Sequence, residues 1–446
     1  MKKTLSFILL LCCFYNLGFA QGRFVVLNTK KTDKIRFKLI NNLIVIPVEV
    51  NGVELSFLLD TGVSKTILFN YLEISDDLKI KDTDPIYIRG LGEGESVEAL
   101  KSKNNVFKIG DAINLHQDLF AVFNENIDFA PRLGIPVHGI IGYDLFRDFV
   151  IEINYSRKFI RLTEPHEFKY KKCKKCETLN LEFYHNKPYI NATVKVENKN
   201  IPIKLLIDSG GSDALWLFED ISSGIIINNT YFEDFLGHGL SGSVYGKRSK
   251  IDEFALNSFV LKNANVAYPD STSISIAKEF KDRNGSLAGN ILKRFNHIVD
   301  YQHAKITIKK NNYFKEPFNY NKSGIELANY GVRLVKEEVK GISNTKNSIV
   351  SEDQQNEIII VVGTRYKMAL KPAYSIVELR EGSPAQRAGL QIGDVILTIN
   401  NKQTYQYSLQ QLMHNFYEDA GKKIRIKIDR DGQILNFEFI LENLLD

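Results

Sequence analysis

Cysteine is scarce in this chain: four residues in 446, two of which, Cys12 and Cys13, fall within the first 20. The other two stand in Lys172-Cys173-Lys174-Lys175-Cys176, a spacing that suits a redox pair or half a zinc site. A zinc site needs two more ligands, and no second CxxC or paired-histidine motif exists; His166 and His185 are nearest, at no recognised spacing. A redox CxxC opens a helix after a strand, whereas this one lies in a Lys-rich stretch, so a local disulfide or free thiols in a linker fit better. A strong charge of one sign is also missing. The formal charge is +5, or +3 without Lys2 and Lys3, and no long basic run accompanies aromatic stacking positions, which excludes nucleic acid as a partner. Long apolar runs are absent too. The stretch Leu5 to Phe14 is shorter than the roughly 20 residues that span a bilayer. With Met1-Lys2-Lys3 before it and Gly18-Phe19-Ala20 after it, residues 1–20 read as a secretory signal peptide cut before Gln21. Leu10 and Leu11 precede Cys12 where a lipoprotein signal wants small residues. The expectation is an exported chain (periplasm, cell surface or medium) with no membrane span.

What is present points to β-structure: 28 Phe and 20 Tyr in a chain that is 44% hydrophobic, with Val and Ile throughout. The length implies two or three domains. An internal repeat organises the first 316 residues. Leu43 to Val50 reads as a strand, Asn51-Gly52 as a two-residue hairpin turn, and Val53 to Leu59 as a return strand ending in Asp60-Thr61-Gly62. In the second half Pro188 to Val196 is the strand, Glu197 to Asn200 the turn, and Ile201 to Ile207 the return into Asp208-Ser209-Gly210. The two aspartates are 148 positions apart. About 80 residues after each, a second motif recurs: Gly139-Ile140-Ile141-Gly142 and Ser286-Leu287-Ala288-Gly289. The repeat defines lobes at 21–165 and 178–316, with a linker at 166–177. Residues 23 to 40 read either as a short pro-segment or as the first strands.

Residues 317–446 differ in kind. Ser383 caps a short helix with Pro384 at its first position and Gly389 at its left-handed stop. Gly393-Asp394 turns the chain into the strand Val395 to Ile399. A second helix starts at Ser408 with Gln411 completing a capping box, and Leu409, Leu412, Met413, Phe416 and Tyr417 share one apolar face. Asp431-Gly432 marks a hairpin. Gly341 to Asn356 is polar and aperiodic, and reads as a long loop.

One Asp-Thr/Ser-Gly after an apolar strand is ordinary turn chemistry, and such a string arises by chance in on the order of several per cent of chains this long. Two copies in duplicated lobes can meet at a pseudo-two-fold axis. Two carboxylates about 3 Å apart share one proton, and such a pair activates a water at a carbonyl with no metal, cofactor or covalent nucleophile. Thr61 and Ser209 would bridge the lobes, and Gly62 and Gly210 would let the backbone pass close to the carboxylates. Other catalytic constellations fail. His166-Glu167 lacks a second zinc-peptidase histidine, and Gly239-Leu240-Ser241-Gly242-Ser243 lacks the last glycine of a nucleophile elbow.

Leu58-Leu59-Asp60-Thr61-Gly62, Leu206-Ile207-Asp208-Ser209-Gly210, Ile140-Ile141-Gly142 and Leu287-Ala288-Gly289 resemble the retropepsin and pepsin superfamily of aspartic peptidases over roughly residues 40 to 310. Ser383-Pro384-Ala385, Ala388-Gly389-Leu390 and Gly393-Asp394 resemble bacterial PDZ domains. Together they resemble bacterial exported aspartyl proteases with a C-terminal PDZ domain. The resemblance implies a mainly β fold: two duplicated retropepsin-like closed β-barrel lobes, then an α+β PDZ-like domain. It implies Asp60 and Asp208 as a catalytic dyad, a polypeptide substrate, and a C-terminal peptide as ligand of the PDZ-like domain, between a helix at 408–420 and a strand near 324–328. Both lobes lie on one chain, so a monomer suffices. Glycine-rich flaps belong to the family, and the candidates are Gly90, Gly92 and Gly94, and Gly237, Gly239 and Gly242. The second set is a literal GxGxxG, but Ser243 to Phe254 has no helical pattern, which excludes a dinucleotide fingerprint. Ala288 is smaller than the usual apolar residue of its motif, and the flap tyrosine of pepsin-like enzymes has only Tyr87 and Tyr245 as nearby candidates. The competing reading is a non-catalytic peptide-binding scaffold with a protease-like fold.

Overall fold

The hairpin turns set the register of both lobes. Asn51 and Gly52 take positive φ (49° and 93°), the twist that a two-residue hairpin needs. They join Leu43–Val50 to Val53–Leu59 with Val50 opposite Val53. In the second lobe the turn is Glu197-Asn198 (φ 48° and 65°), shorter than the composition suggests because two non-glycine residues occupy the left-handed region. The strands are correspondingly longer, Lys187–Val196 and Lys199–Asp208. The computed structural model describes residues 22–69, 78–80, 83–123, 129–227, 230–338 and 366–445. The signal segment at 1–20 and the loop read at Gly341 to Asn356 lie outside the described residues.

Alternation along these strands builds the core. Ile44, Ile46, Val48 and Val50 are buried on one side of the first strand, packed with Phe57, Leu59 and Phe107. The sheet of each lobe closes on itself. In lobe 1 the strand Val97–Ile109 pairs with both Leu43–Val50 and Ala112–Val122. In lobe 2, Gly242–Leu256 pairs with both Lys187–Val196 and Phe259–Pro269. The second repeated motif forms the same element twice. Gly139–Ile141 runs parallel to Val53–Leu59 and antiparallel to Ile67–Leu68; Gly285–Ala288 runs parallel to Lys199–Asp208 and antiparallel to Leu215–Leu217. Even the preceding side chains correspond. His138 accepts from Ser56 N through Nδ1 (3.0 Å), and Asn284 accepts from Lys204 N through Oδ1 (2.8 Å).

A six-stranded sheet joins the lobes. Val150–Asn154 pairs with Phe295–Asp300, flanked on one side by Phe159–Thr163 and Thr32–Arg36 and on the other by Lys305–Lys310 and Cys176–Asn180. Residues 32–40 are thus strands (Thr32–Arg36 and Lys38–Ile40). The segment between the lobes holds a disulfide, Cys173–Cys176, and its last residues already belong to this sheet.

Residues Ser323–Glu442 form a second compact unit. The strands Ile325–Glu338, Tyr366–Leu379, Val395–Ile399, Lys423–Arg430 and Gln433–Ile440 make its sheet, in that order. Ser383 caps the helix Pro384–Arg387, and Ser408 with Gln411 forms the capping box of Leu409–His414. The second helix is shorter than its apolar face suggests. It tightens to a 3-10 turn at Asn415–Tyr417, so Phe416 stays buried while Tyr417 swings out to 37% exposure. The strand expected near 324–328 extends much further, as Ile325–Glu338. Asp394, buried, accepts two hydrogen bonds from Arg430 (2.7 and 2.8 Å) and one from Gln391 N, which fastens the Gly393-Asp394 turn. The described residues are mostly strand (54% strand, 9% helix), the fold class expected of the chain.

Candidate active site

Each aspartate sits where a strand ends against the parallel strand of the second motif. Leu59 is opposite Ile141, and Asp60 N donates to Ile141 O (2.9 Å); Asp208 is itself opposite Ala288. The glycine closing the first motif is sterically required. A Cβ on Gly142 would lie 2.0 Å from Asp60 O, far inside contact distance, so the brace reaches the aspartate turn only without a side chain.

Between the lobes the two turns hold each other. Thr61 Oγ1 donates to Ile207 O (2.6 Å), and Ser209 Oγ donates to Leu59 O (2.8 Å). Thr61 N donates to Ser209 Oγ (3.0 Å), and Ser209 N donates to Thr61 Oγ1 (3.1 Å). Both side chains are buried, so four reciprocal bonds in a low-dielectric setting fix one strand end against the other. The carboxyls converge on the glycines. A Cβ on Gly62 would lie 3.2 Å from Asp60 Oδ1 and 3.3 Å from Asp208 Oδ1. One on Gly210 would lie 2.2 Å from Asp60 Oδ2. Gly62 N donates to Asp60 Oδ1 (2.7 Å), while Gly210 N and Gly211 N donate to Asp208 Oδ1 (3.1 and 3.0 Å).

The pair is electrostatically unequal. Burial raises Asp60 most, and the charge of Asp208 adds to it, to about 7. Burial also raises Asp208, but Arg283 and the N–H of Gly211 oppose the rise. The proton therefore favours Asp60 and the charge favours Asp208. Tyr301, stacked on Phe146 (5.2 Å) and buried, feels the charge of Asp60 and is raised well above the usual phenol range, chiefly by burial.

The flap candidates split. Gly90, Gly92 and Gly94 lie on one hairpin tip, Gly239 and Gly242 on the other, and the tips interlock. Gly90 N donates to Ser241 Oγ (3.1 Å), Ser241 N to Leu91 O (2.9 Å), Gly94 N to Ser241 O (2.7 Å) and Gly92 N to Ser273 O (3.0 Å). Leu91 packs against lobe 2 beside Trp216, and Leu240 against lobe 1 near Ile67 and Phe69. Gly237 is instead a strand residue at a bulge between Phe235 and Gly237. Tyr87 and Tyr245 are 71% and 42% exposed.

Several residues of this site carry no motif. Ser241 is the hub of the contact between the two hairpin tips. Arg248 donates to Asp213 (2.7 Å) and Asp234 (2.8 Å), tying the lobe 2 hairpin to the loop after Asp208. Lys187 and Arg283 act on the aspartates electrostatically. Laying one repeat on the other is the signal that would have exposed this last pair, because their lobe 1 counterparts are apolar.

The family model described as aspartyl protease matches residues 46–145, spanning Asp60-Thr61-Gly62 and Ile140-Ile141-Gly142. The PDZ domain model matches residues 375–430. No curated protein matches the chain. The match in lobe 1 and the repeat of its topology in lobe 2 agree with the geometry around Asp60 and Asp208. The chain carries an aspartyl protease domain followed by a PDZ domain.

Proposed function

We propose that this protein is an exported aspartic endopeptidase in which Asp60 and Asp208 form the catalytic dyad. The observation that carries this reading is the reciprocal Thr61–Ser209 lock, which sets two carboxyls of unequal proton affinity side by side. Asp208, stabilised as an anion by two backbone N–H groups and Arg283, draws a proton from a bound water. Asp60, holding the shared proton, donates it toward the carbonyl oxygen of the scissile bond, and the pair then returns a proton to the leaving nitrogen. The interlocked flap tips cover the substrate and exclude bulk water, which strengthens the charges beneath them. Thr61, Gly62, Ser209 and Gly210 support the dyad without touching the reacting bond. The PDZ domain recruits a substrate tail or partner peptide, added as a strand beside the helix Leu409–His414. A single chain supplies both aspartates, so the unit of activity is a monomer.

A mixed peptide library incubated with the protein at mildly acidic pH should be cleaved internally, and a statine-type inhibitor should stop the cleavage. Cleavage that persists with the inhibitor, or no cleavage, would favour the scaffold reading.

A further inference from the structure

The duplication allows each side chain of one lobe to be compared with its counterpart in the other. Continued two residues beyond its last pair, Val45 with Leu58, the lobe 1 hairpin sets Leu43 opposite Asp60. Continued likewise beyond Tyr189 with Leu206, the lobe 2 hairpin sets Lys187 opposite Asp208. By strand register Gly139, opposite Phe57 three residues before Asp60, corresponds to Gly285, opposite Leu205 three residues before Asp208, so Val137 corresponds to Arg283. In lobe 1 these positions join one apolar cluster, with Leu43, Val45, Leu58, Leu133 and Val137 all buried. In lobe 2 the same places hold two cations.

Among the described residues neither cation forms an ion pair with a carboxylate of its own. Arg283, 8% exposed, donates to Gly285 O (3.1 Å) and Ser286 Oγ (2.7 Å), and it also bonds Tyr189; all three are neutral. The ammonium of Lys187 makes no hydrogen bond or ion pair among the described residues. Burial holds its pKa below the usual lysine range, with Arg283 adding to the effect, while Asp60, Asp208 and the exposed Glu279 oppose it. A dyad sharing one proton carries a single negative charge against these two positive ones. Buried charge without a counter-ion is costly, and a feature at odds with its repeat counterpart calls for a reason.

We infer that Lys187 and Arg283 form a carboxylate-binding wall on the lobe 2 side of the cleft, facing an apolar wall built on Leu43 and Val137 in lobe 1. The inference rests on the peptidase reading and names its substrate class: peptides with an apolar residue on one side of the scissile bond and a carboxylate on the other. The carboxylate comes from a Glu or Asp side chain or from a free C-terminus.

Statine-centred peptides test this without turnover. One series carries Leu on one side and Glu or Gln on the other, in both orders; a second keeps Gln and ends in a free carboxylate or an amide. Binding to the full-length protein is measured by calorimetry. In one order Glu, or in the second series the free terminus, should bind about 10- to 100-fold tighter than its neutral partner, the range of a charge-assisted hydrogen bond. Lys187→Leu, the lobe 1 residue placed in lobe 2, should remove most of that ratio, and Lys187→Arg should keep it. Taking the ratio within each variant cancels any effect of the substitution on the dyad. Equal binding of charged and neutral peptides, a ratio that survives Lys187→Leu, or no binding by any peptide overturns the inference. A ratio of the expected size in a protein that cleaves nothing would refute the peptidase reading and leave the carboxylate wall standing.

Discussion

Asp208→Asn should lower kcat on peptide substrates by about 10⁴-fold, the upper range for removal of a general base. In the proposed mechanism Asp208 bears the charge, because Arg283 and the N–H groups of Gly211 and Gly210 oppose the rise that burial imposes on it, and an amide in its place cannot accept the proton of water. Asp60→Asn should cost about as much, because an amide cannot pass on the proton that Asp60 holds. Loss of fold does not account for either outcome. Asp60 titrates near 7 in the folded chain, against an ordinary value of 3.8. Its ionisation therefore opposes folding, with no penalty below pH 3.8 and the full penalty above about 7. Asp60→Asn should accordingly be more stable than the parent at pH 8, on the order of 4 kcal/mol for a rise from 3.8 to about 7, with the gain vanishing near pH 4. Thermal unfolding at the two pH values, beside peptide turnover, checks both parts.

Gly210→Ala should reduce kcat by about 10²-fold while leaving the fold in place. The new methyl would fall 2.2 Å from Asp60 Oδ2 and 2.4 Å from its Cγ, so the carboxyl must move by about an ångström, a displacement of the size that costs two orders of magnitude in rate. Gly62→Ala is the milder twin, with 3.2 Å to Asp60 Oδ1 and 3.3 Å to Asp208 Oδ1, and should cost less. Steady-state kinetics of the two variants together check the order; equal losses would contradict the geometry drawn for the pair.

Local chemistry made much of this legible in the sequence. Asn51-Gly52, Ser383-Pro384 and the Ser408–Gln411 capping box act within a few residues, so turns and helix starts stand where their residues place them. The duplication was readable because a strand that must end in a carboxylate, braced by a strand that must end in glycine, leaves two short motifs at fixed spacing. Glu197-Asn198 escaped because the left-handed region is usually signalled by glycine, and here the flanking strands impose it on two other residues. Ser241, Arg248, Lys187 and Arg283 escaped for a different reason. Their roles come from partners 14 to 151 positions away, or from the contrast between two lobes, and a single motif records neither. Gly237 shows the converse: a literal motif, GxGxxG, of which one glycine serves a strand bulge rather than the hairpin tip.

If two carboxyls from two lobes share one proton, the pH dependence of kcat/KM records both of their ionisations. The profile should be a bell: activity rises as Asp208 ionises and falls as Asp60 loses its proton near pH 7. A rate that stays level from pH 6 through pH 9 would contradict it.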